Sequence, residues 1–163
     1  MMFFVLNASA SKTEKTVAQE VEFYKGGKLV AKKSLKDFQN LFQAEEIRFV
    51  EPHEKLSKLY EGHSINKTLE KIYGKDWETS KTLSVTCADG YKPSISVNTI
   101  KNGQGYIAFK ETTQREFKIR KQGKMVNVGP LYIIWNHKMT PAERNLHLNQ
   151  GNWPYQAIRF DLK

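Results

Sequence analysis

The stretch from Leu83 to Val97, Leu-Ser-Val-Thr-Cys-Ala-Asp-Gly-Tyr-Lys-Pro-Ser-Ile-Ser-Val, constrains this chain more than any other. Leu83, Val85 and Cys87 alternate with small polar residues, and Ile95 and Val97 alternate with serines. Alternation with a period of two on both sides of an Asp-Gly pair reads as two antiparallel strands, because glycine supplies the positive φ that a tight turn needs. Pro93 has no N–H to give to a ladder, so the connection is expected to be longer than two residues. This hairpin is predicted to sit at the centre of a mainly antiparallel sheet.

Around it the chain divides into short elements. Val21 to Tyr24 and Leu29 to Ala31 flank Gly26-Gly27 and read as a second hairpin. Ser34, three residues before Asp37, approximates a capping box for a helix that places Leu35, Phe38, Leu41 and Phe42 on one face. Ile47 to Val50 is a predicted strand closed by Pro52, and Tyr60-Glu61-Gly62 a predicted turn. Ser64 then caps a second helix with Ile65, Leu69 and Ile72 inward and Gly74 at its end. Gly105 to Phe109 and Glu116 to Arg120 follow as strands. Leu131 to Trp135 is apolar on both faces, as in a strand that is interior or covered on both sides. Pro141 opens a turn of helix in a polar loop, and Tyr155 to Leu162 is the closing strand. The fold class expected is α+β: a mainly antiparallel or mixed β-sheet with two or three short helices.

Length and charge set the outer limits. The chain has 163 residues, enough for a real core without disulfides or metals, and is read as a single domain over residues 21–163. Residues 1–20 read as a leader and a loose approach, since the short apolar run at the start ends in Ala8-Ser9-Ala10, a small-x-small pattern that signal peptidases cut. A periplasmic or secreted protein is therefore expected, with a cytoplasmic one as the other reading. No run approaches the ~18 apolar residues of a membrane span. The net charge of +9 comes from 26 Lys plus Arg against 17 Asp plus Glu. The basic residues are scattered rather than concentrated, which favours an acidic protein partner over nucleic acid. Cys87 is the only cysteine, which excludes an internal disulfide and a zinc ribbon, and its place in an alternating strand makes it a small buried hydrophobe.

Several pieces recur in an order that resembles the molybdopterin-binding domain of the sulfite-oxidase type. They are Gly62-His63-Ser64-Ile65 with Leu69, then Val85 to Tyr91 with its Asp-Gly-Tyr, then Asn127-Val128-Gly129-Pro130-Leu131, then Trp153 to Ile158. The resemblance covers Val21 to Leu162 and implies a sulfite-oxidase-like scaffold. It implies that Asp89, Gly90, Tyr91, Gly129, Pro130 and Tyr132 surround a cofactor-binding site. The family's metal is held by a cysteine on the segment before the second helix, and Phe49 to Glu54 carries none here. Cys87 is not at that position, and Tyr132 stands where the family often has an arginine. A molybdenum centre wants a soft thiolate, so the resemblance implies a scaffold without the usual centre.

Other candidate chemistry is sparse. His137 and His147 share a polar loop with Met139, a separation that is no metal signature, and His53 between Glu51 and Glu54 reads as a turn rather than a ligand set. No Walker loop, Gly-x-Ser-x-Gly or dinucleotide fingerprint is present. Tyr132, Trp135, Trp153 and Tyr155 read as a core cluster or as the lining of one pocket, to which Lys92 and Arg159 could draw an anion. The expectation is an exported accessory domain with no catalytic or metal-ligating residue, holding either no cofactor or a molybdopterin. It would work against an acidic redox or envelope partner such as a c-type cytochrome. The alternative is an oxidoreductase that binds molybdopterin with other ligands.

Overall fold

The computed structural model describes residues 19–113, 116–135, 140–142, 145–146 and 151–163. The leader reading, His137, Met139 and His147 lie outside the described residues. Two sheets carry the core. The first has the order β2 (Lys28–Ser34), β1 (Glu20–Lys25), β11 (Ala157–Leu162), β5 (Thr82–Cys87), β6 (Ser94–Ser96). The second runs β10 (Tyr132–Trp135), β7 (Gly105–Glu111), β4 (Ser57–Ser64), β3 (Glu45–Val50). A separate two-stranded ribbon joins β8 (Lys118–Lys121) to β9 (Lys124–Asn127). Every pairing is antiparallel except β1 with β11, where Phe23 lies opposite Phe160. Short helices complete an α+β domain of mainly antiparallel, mixed sheet, among them α1 (Leu35–Gln39), α2 (Ile65–Tyr73) and α3 (Val97–Asn102).

Local chemistry explains most elements. The Ser34 hydroxyl accepts from Asp37 N–H at 3.1 Å and starts α1. Ser64 does the same for α2 through Lys67 N–H, and Ile65, Thr68 and Leu69 form its buried stripe. Gly74, at φ 73°, ends that helix where an L side chain would be strained. Between the sheets Phe23 stacks on Phe160 at 5.4 Å and on Phe38 at 6.2 Å, one aromatic column through the core.

The structure departs from the sequence reading in four places. The hairpin at Leu83 to Val97 is present but marginal in its sheet: β5 is next to the edge, β6 is only three residues long, and the closing strand β11 takes the centre. Val97 is not in a strand, because it begins α3. Tyr60-Glu61-Gly62 is no turn but the middle of β4. A Cβ at Gly62 would lie 2.6 Å from the Ile107 carbonyl oxygen, so close approach of β7, not a bend, explains the glycine. Finally, α1 ends at Gln39, so Leu41 and Phe42 lie beyond the helix; Tyr132 to Trp135, by contrast, is an edge strand with all four residues buried, the covered case of the two expected.

Candidate functional site

Four chain segments meet around a cleft of about 300 Å³. The first is the loop after β5. Its Cys87 N–H donates to the Tyr91 carbonyl at 2.9 Å, and the Asp89 carboxylate accepts from the Tyr91 N–H at 3.0 Å, an Asx-type turn completed by Gly90 at φ 89°. This presents Tyr91, 52% exposed, on one wall beside Asp89. The second segment, residues 151–155, supplies Trp153, Pro154 and Tyr155. Gly151 suits its place by its φ of +69°, and a Cβ on it would lie 2.6 Å from the Tyr91 hydroxyl oxygen and push that exposed side chain aside. The third is the tip of the β8–β9 ribbon, where Lys121 donates to the Tyr155 hydroxyl at 3.2 Å and its ammonium stands 5.1 Å from that ring's centre. The fourth is the turn after β3, which carries His53. Two of the described non-glycine residues at positive φ adjoin lining residues: Gln122 beside Lys121 at 50° and Gln156 beside Tyr155 at 58°. Backbone held in that region persists where surrounding structure over-determines it, as at ligand clamps.

Behind the cleft lies a buried polar cluster. Glu51 is completely buried, and its carboxylate accepts from the His53 N–H at 2.9 Å on one oxygen and from the Tyr132 hydroxyl at 2.9 Å on the other. Burial raises its carboxyl to about 7, against the lowering pull of those two hydrogen bonds and the Lys58 ammonium. Tyr132 is also fully buried, and its phenol is held well above the ordinary range by burial first and by the Glu51 charge second. Burial pushes His53 down, and the nearby Lys121 charge adds to this, so its imidazole favours the neutral form. The Lys58 ammonium meets the Glu54 carboxylate at 2.5 Å, a charge contact without hydrogen-bond alignment, and donates to the Lys118 carbonyl at 3.1 Å. Glu54 also accepts from the Arg120 N–H at 2.5 Å, so the turn is clasped to the ribbon that carries Lys121.

Of the residues singled out from sequence, the structure brings Asp89 and Tyr91 to the cleft, with Gly90 in the turn between them. Gly129 and Pro130, joined by a cis peptide, precede β10 in the other sheet and do not line it. The two regions meet through one strand entry: Gln156 N–H donates to the Val128 carbonyl, Ala157 N–H to the Leu131 carbonyl, and Ala88 N–H to the Gln156 carbonyl, each within 2.9 Å. Tyr132 stands one layer back, packed edge-on against Tyr155 at 6.2 Å. Of the four aromatics, Trp153 and Tyr155 line the cleft, while Tyr132 and Trp135 are core. Lys92 and Arg159 are not among the lining residues, and the Arg159 guanidinium instead covers the Tyr24 ring at 3.5 Å. Sequence reasoning passed over Lys121 and Gly151, whose only local signal was the Gln122-Gly123 turn and an isolated glycine.

Chemically the cleft offers flat aromatic surface from Tyr91, Trp153 and Tyr155, one cation in Lys121, and one neutral imidazole. The Trp153 indole N–H, on a side chain only 4% exposed, has no hydrogen-bond partner among the described residues. Cys87 is 2% exposed, and burial pushes its thiol up to about 12, so it supplies no thiolate. Among the described residues no cluster of three or more His, Cys, Asp or Glu could hold a metal ion, and no helix is long and apolar enough to cross a membrane. No protein-family model matches the chain, and no curated protein matches it to a significant degree.

Proposed function

We propose that this domain binds a flat, anionic heteroaromatic molecule of the pterin class in the cleft. It would do so as an accessory protein on a scaffold of the sulfite-oxidase molybdopterin-binding type, without the usual metal–thiolate centre. The observation that carries this reading is the convergence of Tyr91, Trp153, Tyr155 and Lys121 on one small concavity. Rings stack on aromatic faces, and an ammonium answers a phosphate. The ring and anion of a molybdopterin fit these residues. Its metal does not, because Cys87 is a buried thiol facing the core and no other sulfur lines the cleft.

The net charge of +9 supports a role beside an acidic redox or envelope protein, which the basic surface would draw in at a rate that falls with added salt. A pterin carrying a phosphate ester tests the binding function through the quenching of its fluorescence. The expected result is one-to-one binding that weakens at least tenfold in both Tyr91→Ala and Lys121→Ala. Absence of binding, or equal binding by the variants, overturns the proposal. Stoichiometric molybdenum in protein purified from its native host would move the reading to an oxidoreductase with other ligands.

A further inference from the structure

One buried carboxylate touches both walls of the cleft without lining it. Oε1 of Glu51 accepts from the His53 N–H at 2.9 Å, and His53 forms one wall. Oε2 accepts from the Tyr132 hydroxyl at 2.9 Å, and the Tyr132 ring meets the ring of Tyr155, on the other wall, at 82° and 6.2 Å. The backbone of Glu51 also closes its own turn: its N–H donates to the Leu56 carbonyl at 2.8 Å and its carbonyl accepts from Lys55 at 2.7 Å. These bonds fix the backbone from which the side chain reaches both walls.

We propose that Glu51 is a positioning residue of the cleft: as a carboxylate it ties the His53 wall to the Tyr155 wall, and taking up a proton releases one tie. An ionised carboxylate only accepts hydrogen bonds and satisfies both donors at once. A protonated one must donate from one oxygen, so the Tyr132 hydroxyl either reverses or leaves. Tyr132 cannot turn to water to compensate, because it is fully buried. The ordinary explanation, a core carboxylate that merely stabilises its turn, accounts for the His53 bond but not for the second tie, which runs from the end of β3 to β10 at the opposite edge of the same sheet.

The groups facing Glu51 support a change near neutral pH. On its own turn stand His53 and Glu54, whose charge disfavours a second anion. β4 contributes the Lys58 ammonium, which favours the carboxylate, and Tyr60. β10 contributes Tyr132, which favours ionisation through its hydrogen bond. Glu111 of β7 acts on Tyr60, and Lys121 of the ribbon acts on His53. Burial outweighs all of these and brings the transition to about 7.

The inference rests on the cleft being the binding site, but its test uses no ligand, so the two fail separately. In the full chain, the His53 amide and Tyr155 ring resonances are followed by NMR from pH 5 to 9. His53→Gln serves as the background, which removes the imidazole's own titration and keeps the backbone N–H. Both signals should move together with a midpoint near 7, and both should become flat when Glu51→Gln is added. Adding Tyr132→Phe instead should flatten Tyr155 alone and leave the His53 amide titrating. A flat His53 amide in the background protein overturns the proposal. So does a Tyr155 titration that survives Glu51→Gln or Tyr132→Phe.

Discussion

The two sheets of this domain solve burial differently. In the five-stranded sheet, Val21, Phe23, Leu83, Val85, Ile95, Phe160 and Leu162 turn inward, and the main polar exception, Asp161, sits near the β1–β2 turn where it accepts from Gly27 N–H. The four-stranded sheet and the turn after β3 bury Glu51, Lys58, His63 and Glu111, each at most 3% exposed. A hydrocarbon core gains from every apolar surface removed from water, whereas a buried charge loses its hydration and recovers it only through partners. The first sheet is thus built for stability. The second carries a cost that its neighbours offset, and Glu51 of that group lies behind the cleft, while His63 is held by the Phe38 and Gln39 carbonyls at α1.

Breaking each side in its own currency separates them. The largest effect is expected in the first sheet. Phe160 is fully buried, stacked on Phe23 and placed on the central strand, so Phe160→Ala should cost about 4–5 kcal/mol, read as a lower urea midpoint. Next comes the ion pair of the second. Lys58→Met strands the Glu54 carboxylate, only 8% exposed, and should cost about 3–4 kcal/mol. The double variant Glu54→Leu with Lys58→Met should regain most of that loss, because an apolar pair of similar bulk needs no hydration. A double variant as unstable as the single one would show that the clasp to the ribbon, not charge, is what matters, and would collapse the contrast between the sheets.

How far the sequence revealed this depends on how local the cause is. Ser64 and Gly74 bound α2 through contacts a few residues long, and Asp89-Gly90-Tyr91 forms its turn from its own side chain, so both were legible. Gly62 misled, because glycine in a strand marks the approach of β7, a neighbour 45 residues on. Val97 misled because Ser96 makes no side-chain cap and α3 is too short to show a helical period. Half of the candidate site was visible as Asp89, Tyr91, Trp153 and Tyr155, residues that stand near turn signals or strand ends. Lys121 and the buried Glu51 were not. Nothing beside either residue announces that a ribbon and a turn 66 residues apart are tied by Glu54 and Arg120.

The smallest effect is the most telling, because its sign depends on pH. Glu51 stands at about 7 in the folded chain against 4.5 for an ordinary glutamate, so the native state holds its proton where the unfolded chain has lost it. The contribution to stability is fully present below about pH 4.5 and is lost as pH rises through 7, on the order of 3 kcal/mol in all. Glu51→Gln cannot ionise, so it should match the parent at pH 4 and exceed it in urea unfolding at pH 8. At pH 8 the parent has both donors satisfied and both cleft walls tied, yet it is the less stable protein, because burial of the charge outweighs two hydrogen bonds. Keeping an ionisable side chain at that position trades stability for the geometry of the cleft, as binding sites commonly do. A variant no more stable than the parent at pH 8 would mean the carboxylate is not strained by burial, and the second sheet would then differ from the first in composition only.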